Sequence, residues 1–208
     1  MERFELGLRE AMPYADASLL VGEFRGTSQS PLLWTRSDVM AAWVTTRRLW
    51  GEPIYLPYAF RRIWEGGHSY QSQHYAGTAF DCAQNLSSQR REALRALAEG
   101  SGLWTYVEPA PLAPAWVHMD LRTLPPVCPG GGYPLLRMGS IGVYVCILQD
   151  ALNTAEGAGI EIDGIFGIET NEALNLFQAV NGLTADGMAG CATWQLLTAL
   201  TRGVGYGG

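Results

Sequence analysis

The sequence predicts an α+β protein, with a small antiparallel-sheet domain and flanking helices followed by an all-α three-helix module. The first observation is the segment Leu124–Tyr133, whose three prolines and three glycines cannot continue a helix or a central strand. The second is periodicity, because helical and strand-like patterns alternate before this segment and only helical patterns follow it. A chain of 208 residues is long enough for one full domain and a smaller partner.

Two helices and three strands are predicted in the N-terminal part. The first helix runs from Ser37 to Trp50, where apolar residues repeat at helical spacing and Gly51 gives a stop signal. Ser88 can cap the second helix, which ends at Gly100. Short apolar runs predict the strands, which are Ile54–Leu56, Leu103–Val107 and Ala115–Leu121.

An internal repeat organises the C-terminal part. The pattern Asp-Gly-x-x-Gly-x-x-Thr occurs at Asp163–Thr170 and again at Asp186–Thr193. Asp-Gly favours a turn and threonine is common where a helix begins, so each copy is expected to start a helix. An earlier helix is predicted from apolar residues that share one face, namely Ile141, Val145, Leu148 and Leu152.

Charge and hydropathy exclude two classes of partner. The chain has 14 basic residues, all arginine, against 20 acidic residues, which gives a net charge of −6. It offers no basic patch for a phosphate backbone, so a nucleic-acid partner is not expected. The apolar runs are too short to span a bilayer, so a membrane partner is not expected either. The N-terminus lacks the pattern of a secretory signal, which leaves the export route open.

The cysteines show no metal-site pattern. Their spacings fit none of the paired Cys-x-x-Cys arrangements that bind structural zinc. Four cysteines can form disulfides in three ways, but without a secretory signal we expect free, mostly buried thiols. The residues concerned are Cys82, Cys128, Cys146 and Cys191.

Two histidines, His74 and His118, lie in informative surroundings. Side chains alternate along a strand, so Trp116, His118 and Asp120 are expected to share one face. Two imidazoles and one carboxylate supply three ligands for tetrahedral Zn²⁺ and leave the fourth position for water, as a catalytic site requires. Each histidine taken alone also fits a hydrogen-bonded, half-buried side chain.

The pattern S-x-H-x-x-G-x-A-x-D at residues 72–81, followed by W-x-H at residues 116–118, resembles the zinc D-Ala-D-Ala carboxypeptidases and the related VanY-like peptidoglycan peptidases. The resemblance implies a zinc peptidase domain at residues 1–125. It also implies that Zn²⁺ is the cofactor and that the metal ligands are His74, Asp81 and His118.

An arginine and a serine near this motif are candidate substrate-binding residues. In the family an arginine in an S-G-Y-R-like segment holds a substrate carboxylate, and Arg61 aligns best with it here. A planar guanidinium can pair with a carboxylate through two hydrogen bonds, so Arg61 is a candidate catalytic residue as well. A solvated surface arginine is the alternative interpretation. Ser72 is assigned a supporting role beside His74.

The resemblance departs from the family at the general base. The family places a glutamate or aspartate three residues before the last histidine ligand, where this sequence has Ala115. Asp120 can serve as the base or can orient the imidazole of His118 through a hydrogen bond. Glu108, which follows a predicted strand, can reach into the site instead. A third interpretation is a zinc site that has lost most of its activity.

Residues 137–200 resemble the peptidoglycan-binding domain found beside many bacterial cell-wall hydrolases. The resemblance rests on D-G-I-F-G at residues 163–167 and on framework residues in the expected order, which include Val145, Leu148, Gln149, Leu152, Thr170, Ala173, Phe177, Gln178, Thr193 and Trp194. The proline- and glycine-rich composition predicts a linker at residues 126–136, and a glycine-rich tail is expected at residues 201–208.

Together the two resemblances predict a zinc-dependent peptidoglycan hydrolase that acts at the cell wall, as an endolysin does, and works as a monomer. It would cleave an amide bond in the stem peptide, either as a D-Ala-D-Ala carboxypeptidase or as an endopeptidase, and residue identity alone does not separate the two. The alternative from another class is a non-catalytic, zinc-containing peptidoglycan-binding protein. A third interpretation is an intracellular peptidase that acts on small D-peptides.

Overall fold

The computed structural model describes residues 7–16 and 19–205, and it confirms the α+β class. The strands form one antiparallel sheet and are β1 (Ala79–Cys82), β2 (Tyr106–Val107) and β3 (Val117–Asp120). The helices are α1 (Val21–Arg25), α2 (Ser37–Trp50), α3 (Ser88–Ser101), α4 (Val143–Glu156), α5 (Ile168–Val180) and α6 (Cys191–Thr201), with a 3-10 turn at Ile63–Glu65. Within these two ranges no helix has the length and apolar character needed to cross a membrane. Residues 206–208 of the predicted tail lie outside the described residues.

The described residues form two compact units. The sheet unit contains residues 7–16, 19–61 and 77–123, and the helical unit contains residues 62–76 and 124–205. Residues 62–76 therefore belong with the C-terminal helices rather than with the strands. The domain limits drawn from the sequence stay a prediction.

The sheet has the strand order β1-β3-β2, so β3 is central. In its register Asp81 pairs with His118, while Ala79 and Tyr106 pair with Asp120 from the two sides. The last two predicted strands are therefore present, although each is shorter than the apolar run that predicted it. Prolines between β2 and β3 limit the pairing because they lack a backbone N–H.

The strand predicted at Ile54–Leu56 is wrong. The segment runs beside β1 as irregular chain, and its continuation is bound to β1 by a hydrogen bond from Asp81 N to Tyr58 O of 2.8 Å. Pro53 and Pro57 flank the segment. Because proline fixes φ and cannot donate a hydrogen bond, this segment does not form a regular ladder.

The two long helices of the sheet unit follow their sequence signals closely. α2 has the predicted limits, and Gly51 ends it in the left-handed conformation with φ 80°. α3 is capped by Ser87 rather than Ser88, because the Ser87 side chain accepts a backbone hydrogen bond from the first turn. α3 ends at Gly102, with φ 66°, rather than at Gly100, because Gly102 is the glycine that adopts the left-handed conformation.

These helices fix the parts of the sheet that carry the candidate site. Trp43 of α2 stacks on Phe80 of β1 with ring centroids 4.5 Å apart. Arg95 of α3 is 3% exposed and donates to three carbonyl oxygens, those of Glu108, Ala113 and Trp116. Arg95 thereby holds the connection between β2 and β3, which bears Glu108 and leads into the central strand.

The three-helix prediction for the C-terminal part is confirmed. α4, α5 and α6 enclose an apolar core that includes Phe166, Phe177 and Trp194. Ile141 is the exception among the predicted core residues, because it is 77% exposed. α4 begins only at Val143, since the preceding Gly142 has φ 111°, which is incompatible with a helix.

Two glutamines stabilise the two copies of the repeat in the same way. In the first copy Gln149 Nε2 donates to Asp163 Oδ1 at 2.7 Å, and Gly164 N donates to Gln149 Oε1 at 2.9 Å. Gln149 also donates to Thr170 Oγ1 at 3.1 Å, which explains a threonine just inside the helix. In the second copy Gln178 makes the equivalent bonds with Asp186, Gly187 and Thr193.

A disulfide joins Cys128 to Cys191, so the expectation of free thiols is wrong for this pair. Cys128 lies in the segment rich in proline and glycine, and Cys191 begins α6. Their Cα atoms are 5.0 Å apart, within the range that a disulfide requires. Spacing along the chain gives no sign of this contact, because the packing of the intervening helices brings the two cysteines together. Cys82 and Cys146 are buried as expected.

Reducing this disulfide is expected to lower the free energy of unfolding by about 2–5 kcal/mol, because the cross-link restricts the unfolded chain. Urea denaturation with and without dithiothreitol measures the difference. In the double variant Cys128→Ser/Cys191→Ser the reductant should leave the midpoint unchanged. An equal midpoint for oxidised and reduced wild type would show that the bond does not stabilise the fold.

Candidate functional site

Asp81 and His118 face each other across the ladder between β1 and β3. They are a register pair, and His118 Nδ1 lies 2.6 Å from Asp81 Oδ1. Both side chains are 13% exposed, so the pair is partly shielded from water and remains open on one side. The structure therefore brings two of the three predicted metal ligands together within the sheet unit.

Asp120 binds the opposite side of the same imidazole. Its Oδ2 lies 3.2 Å from His118 Nε2, and its side chain is fully buried. Arg122 donates two hydrogen bonds to this carboxylate, from Nε to Oδ1 at 2.8 Å and from Nη2 to Oδ2 at 2.6 Å. A carboxylate on the second ring nitrogen is the usual means of orienting a metal-binding histidine. Asp120 is thus placed to position His118.

The two carboxylates determine the charge of the ring. Burial disfavours the protonated ring, but the hydrogen bonds and negative charges of Asp120 and Asp81 outweigh it and raise the pKa of His118 to about 9. The ring is therefore protonated at neutral pH in the metal-free protein. It must release a proton before Nδ1 can bind a metal ion.

Glu108 lies beside His118 on the β2 side of the sheet. Its N–H donates to His118 O at 3.0 Å, which extends the register one residue beyond the pair Val107 and Met119. Residues directly opposite each other project from the same face, so Glu108 shares a face with His118. Its side chain is half-buried. Ala115, where the family carries an acid, is exposed and precedes β3.

Arg61 follows the segment that runs along the outer edge of β1. The hydrogen bond from Asp81 N to Tyr58 O fixes that segment three residues before Arg61. Arg61 Nη2 donates to Thr27 Oγ1 at 2.7 Å, a contact on the exposed side of the unit. The substrate-binding role of Arg61 stays a prediction.

The third predicted ligand, His74, belongs to the helical unit. It is 1% exposed, and its backbone N–H donates to Ser72 Oγ at 3.3 Å, so Ser72 supports the turn that bears it. His68 stacks against His74 with ring centroids 3.9 Å apart, and both offer a ligand atom within a span of 4.8 Å. Sequence reasoning left His68 out of the site, although its position in the same loop, shortly before the motif, was a usable signal.

The chemistry of these side chains suits Zn²⁺, which binds imidazole nitrogen and carboxylate oxygen. At bond lengths of about 2.0–2.1 Å, two ligands of a tetrahedral zinc ion lie roughly 3.3 Å apart. The pair Asp81 and His118 is somewhat closer, at 2.6 Å, so binding a metal requires a small separation of these two side chains. Taken separately, the helical unit offers the imidazoles of His68 and His74, and the sheet unit offers the pair Asp81 and His118.

The C-terminal helices match a known family. Residues 142–197 match the family described as "Putative peptidoglycan binding domain". The matched range contains both copies of the glutamine-stabilised repeat. The match confirms a peptidoglycan-binding domain over residues 142–197, within the range 137–200 that the sequence predicts.

One curated relative matches part of the chain. An uncharacterized protein in the bpoA1 3' region of Kitasatospora aureofaciens is 39% identical over 72 residues. The match covers 32% of this chain and 61% of the relative, so the chain spans less than two thirds of that relative's length.

Three solved structures are also similar over about a third of the chain. A peptidoglycan-binding protein from Clostridioides difficile is 39% identical, and the match covers 35% of this chain and 45% of that chain, with a TM-score of 0.32. The SleB N-terminal domain is 37% identical over 33% of this chain and 93% of its own, with a TM-score of 0.32. The endolysin of Burkholderia phage AP3 is 47% identical, and the match covers 34% of this chain and 26% of that chain, with a TM-score of 0.32.

Proposed function

We propose that this protein is a zinc-dependent peptidoglycan hydrolase that cleaves an amide bond in the cell-wall stem peptide. Its metal ligands in this proposal are His74, Asp81 and His118. The observation that carries the proposal is the row of three side chains Asp81, His118 and Asp120. In it, His118 Nδ1 lies 2.6 Å from Asp81 Oδ1 and His118 Nε2 lies 3.2 Å from Asp120 Oδ2. The peptidoglycan-binding domain in the same chain supports the cell wall as its place of action.

The residues of the chain have separate roles in this reaction. A zinc ion held by His74, Asp81 and His118 would supply Lewis-acid chemistry, which would make the attacking water more acidic and polarise the carbonyl that is cleaved. Glu108 accepts a proton from the attacking water and passes it to the leaving amine. Asp120, held by Arg122, keeps the His118 ring in one orientation. Arg61 pairs with a carboxylate of the stem peptide.

Glu108 is a better general base than Asp120 for a geometric reason. The Asp120 carboxylate accepts two hydrogen bonds from Arg122 and contacts His118, and it is fully buried. These contacts and its burial place the Asp120 carboxylate to orient the His118 ring rather than to contact a water. Glu108 lies on the same face of the sheet, adjacent to His118, and is half-buried.

Replacing Glu108 with glutamine is expected to slow amide hydrolysis about 10²- to 10⁴-fold, the usual contribution of a general base. Zinc content should stay at the wild-type level because Glu108 binds no metal in this proposal. The matched variant Asp120→Asn should instead weaken zinc affinity about 10- to 100-fold. Hydrolysis rates and zinc content of the two variants are measured side by side. If Glu108→Gln hydrolyses the substrate at the wild-type rate, another group is the general base.

The second candidate function is non-catalytic binding of peptidoglycan by a zinc-containing protein. The observation that favours it is Ala115, which is exposed and stands where the family carries an acid. The two candidates differ in whether the protein breaks bonds in the polymer that it binds.

Purified sacculi separate the two candidates. The zinc-loaded protein is incubated with sacculi, and released fragments are identified by mass spectrometry. New amine termini that disappear with His74→Ala support the hydrolase, and free D-alanine or cleaved cross-links distinguish carboxypeptidase from endopeptidase. Binding to sacculi without any released fragment supports the second candidate and contradicts the first.

A further inference from the structure

The turn that carries His74 is bound by side chains from the C-terminal part of the helical unit. Tyr144 of α4 donates from its hydroxyl to Gln73 Oε1 at 2.8 Å. Tyr133 donates from its hydroxyl to Ser72 O at 2.9 Å. The backbone N–H of Tyr133 also donates to Gln71 Oε1 at 2.9 Å. Three consecutive residues before His74 are thus each bound by Tyr133 or Tyr144.

These two tyrosines are themselves rigidly held. Tyr133 is 0% exposed and Tyr144 is 5% exposed. The Tyr133 ring packs against Tyr144 with centroids 5.6 Å apart and against Trp194 of α6 with centroids 4.9 Å apart. Trp194 Nε1 donates to Pro134 O at 2.9 Å, which fixes the indole. The turn at residues 71–74 is therefore connected to α4 and α6 by buried aromatic packing.

The other end of the same loop is bound to the C-terminal end of the helical unit. Arg202, which follows α6, donates to His68 O at 2.9 Å and lies 4.1 Å from the centroid of the Tyr70 ring. Gly203 N donates to Ile63 O at 3.1 Å. The loop from residue 63 to residue 74 thus has its start, middle and end bonded to residues of the C-terminal segment.

We propose that Tyr133 and Tyr144 are positioning residues for the metal ligand His74, so that Tyr144, inside the matched range 142–197, and Tyr133, shortly before it, form the scaffold of this one ligand. The proposal rests on the function proposed above and deepens it. The hydroxyl groups fix the turn at residues 72–74, and the turn fixes the direction in which the His74 imidazole points. Zinc affinity therefore depends on these two hydroxyl groups of the helical unit.

The variant Tyr144→Phe tests this proposal because it removes one hydroxyl and keeps the buried ring. Zinc affinity of the full chain is measured by competition with a chromophoric chelator, and it is expected to fall about 10-fold, as when a group that orients a ligand is lost. The d–d absorption of the Co²⁺-substituted protein should shift, because the geometry around His74 changes. Binding to sacculi should stay at the wild-type level.

The matched control is Thr198→Val, which also removes one buried hydroxyl of the helical unit. Thr198 Oγ1 donates to Trp194 O at 2.7 Å within α6 and does not reach the loop. This variant should keep wild-type zinc affinity and the wild-type Co²⁺ spectrum. If Tyr144→Phe fails to fold, Tyr133→Phe provides the same test through the bond to Ser72.

Amide hydrogen exchange in the metal-free protein separates this proposal from the proposed function. Tyr75 N and Ala76 N donate within the turn to Ser72 O and Gln73 O, and their exchange should accelerate in Tyr144→Phe. If exchange is faster in Tyr144→Phe but the wild-type protein binds no zinc, the metal site is refuted and the positioning of the turn stands. Unchanged exchange, or wild-type zinc affinity and Co²⁺ spectrum in Tyr144→Phe, would overturn the proposal.

Discussion

Replacing His118 with alanine is expected to abolish both tight zinc binding and the release of peptidoglycan fragments. His118 is the central residue of the row, because Asp81 and Asp120 each contact one of its two ring nitrogens. Its loss removes one of three proposed metal ligands and leaves the two carboxylates without the imidazole between them. Zinc content by elemental analysis and fragment release from sacculi measure the two effects.

The matched control for this substitution is Tyr106→Phe. Tyr106 lies in the same sheet, and its ring centroid is 6.1 Å from that of His118. The variant keeps the aromatic ring and has no assigned role in binding the metal, so zinc content and fragment release should stay near the wild-type level. Release of fragments by a zinc-free His118→Ala protein at the wild-type rate would contradict the proposed mechanism.

Replacing Arg62 with methionine is expected to destabilise the helical unit by about 3–5 kcal/mol, because it leaves a buried carboxylate without its partner. Arg62 and Asp150 form two parallel hydrogen bonds, from Nε at 2.7 Å and from Nη2 at 2.5 Å. Their side chains are only 7% and 2% exposed. Burial already raises the pKa of Asp150, and Arg62 opposes that rise.

The double variant Arg62→Met/Asp150→Leu separates loss of the ion pair from loss of packing. Removing both charges takes away the cost of burying an unpaired carboxylate, so most of the stability should return. Urea denaturation of wild type, single variant and double variant measures this. If Arg62→Met lowers the free energy of unfolding by less than about 1 kcal/mol, the pair is not buried as described.

The sequence predicts most of the helices because their signals are local. Gly51 ends α2 at the predicted residue, and the repeat at 163–170 and 186–193 begins α5 and α6. The strands have weaker local signals, because β1 lies inside the proposed metal-ligand motif and has no alternating apolar pattern. The disulfide between Cys128 and Cys191 depends on how distant segments pack, which spacing does not reveal.

In the candidate site, too, local patterns predict some positions, whereas others depend on how distant segments pack. Alternation along one strand correctly places His118 and Asp120 on one face. The position of Glu108 requires the pairing of β2 with β3, which the sequence does not specify. The bond of Arg122 to Asp120 and the bond of Tyr144 to Gln73 depend on side-chain packing. No local pattern marks these two residues, so sequence reasoning did not find them.

Diffraction from crystals of the zinc-loaded protein, measured just above the zinc absorption edge, tests the central claim most directly. The proposal predicts one anomalous peak about 2.0–2.2 Å from a nitrogen of His74, an oxygen of Asp81 and Nδ1 of His118. A peak bound by other residues, or no peak at any of these side chains, would contradict it.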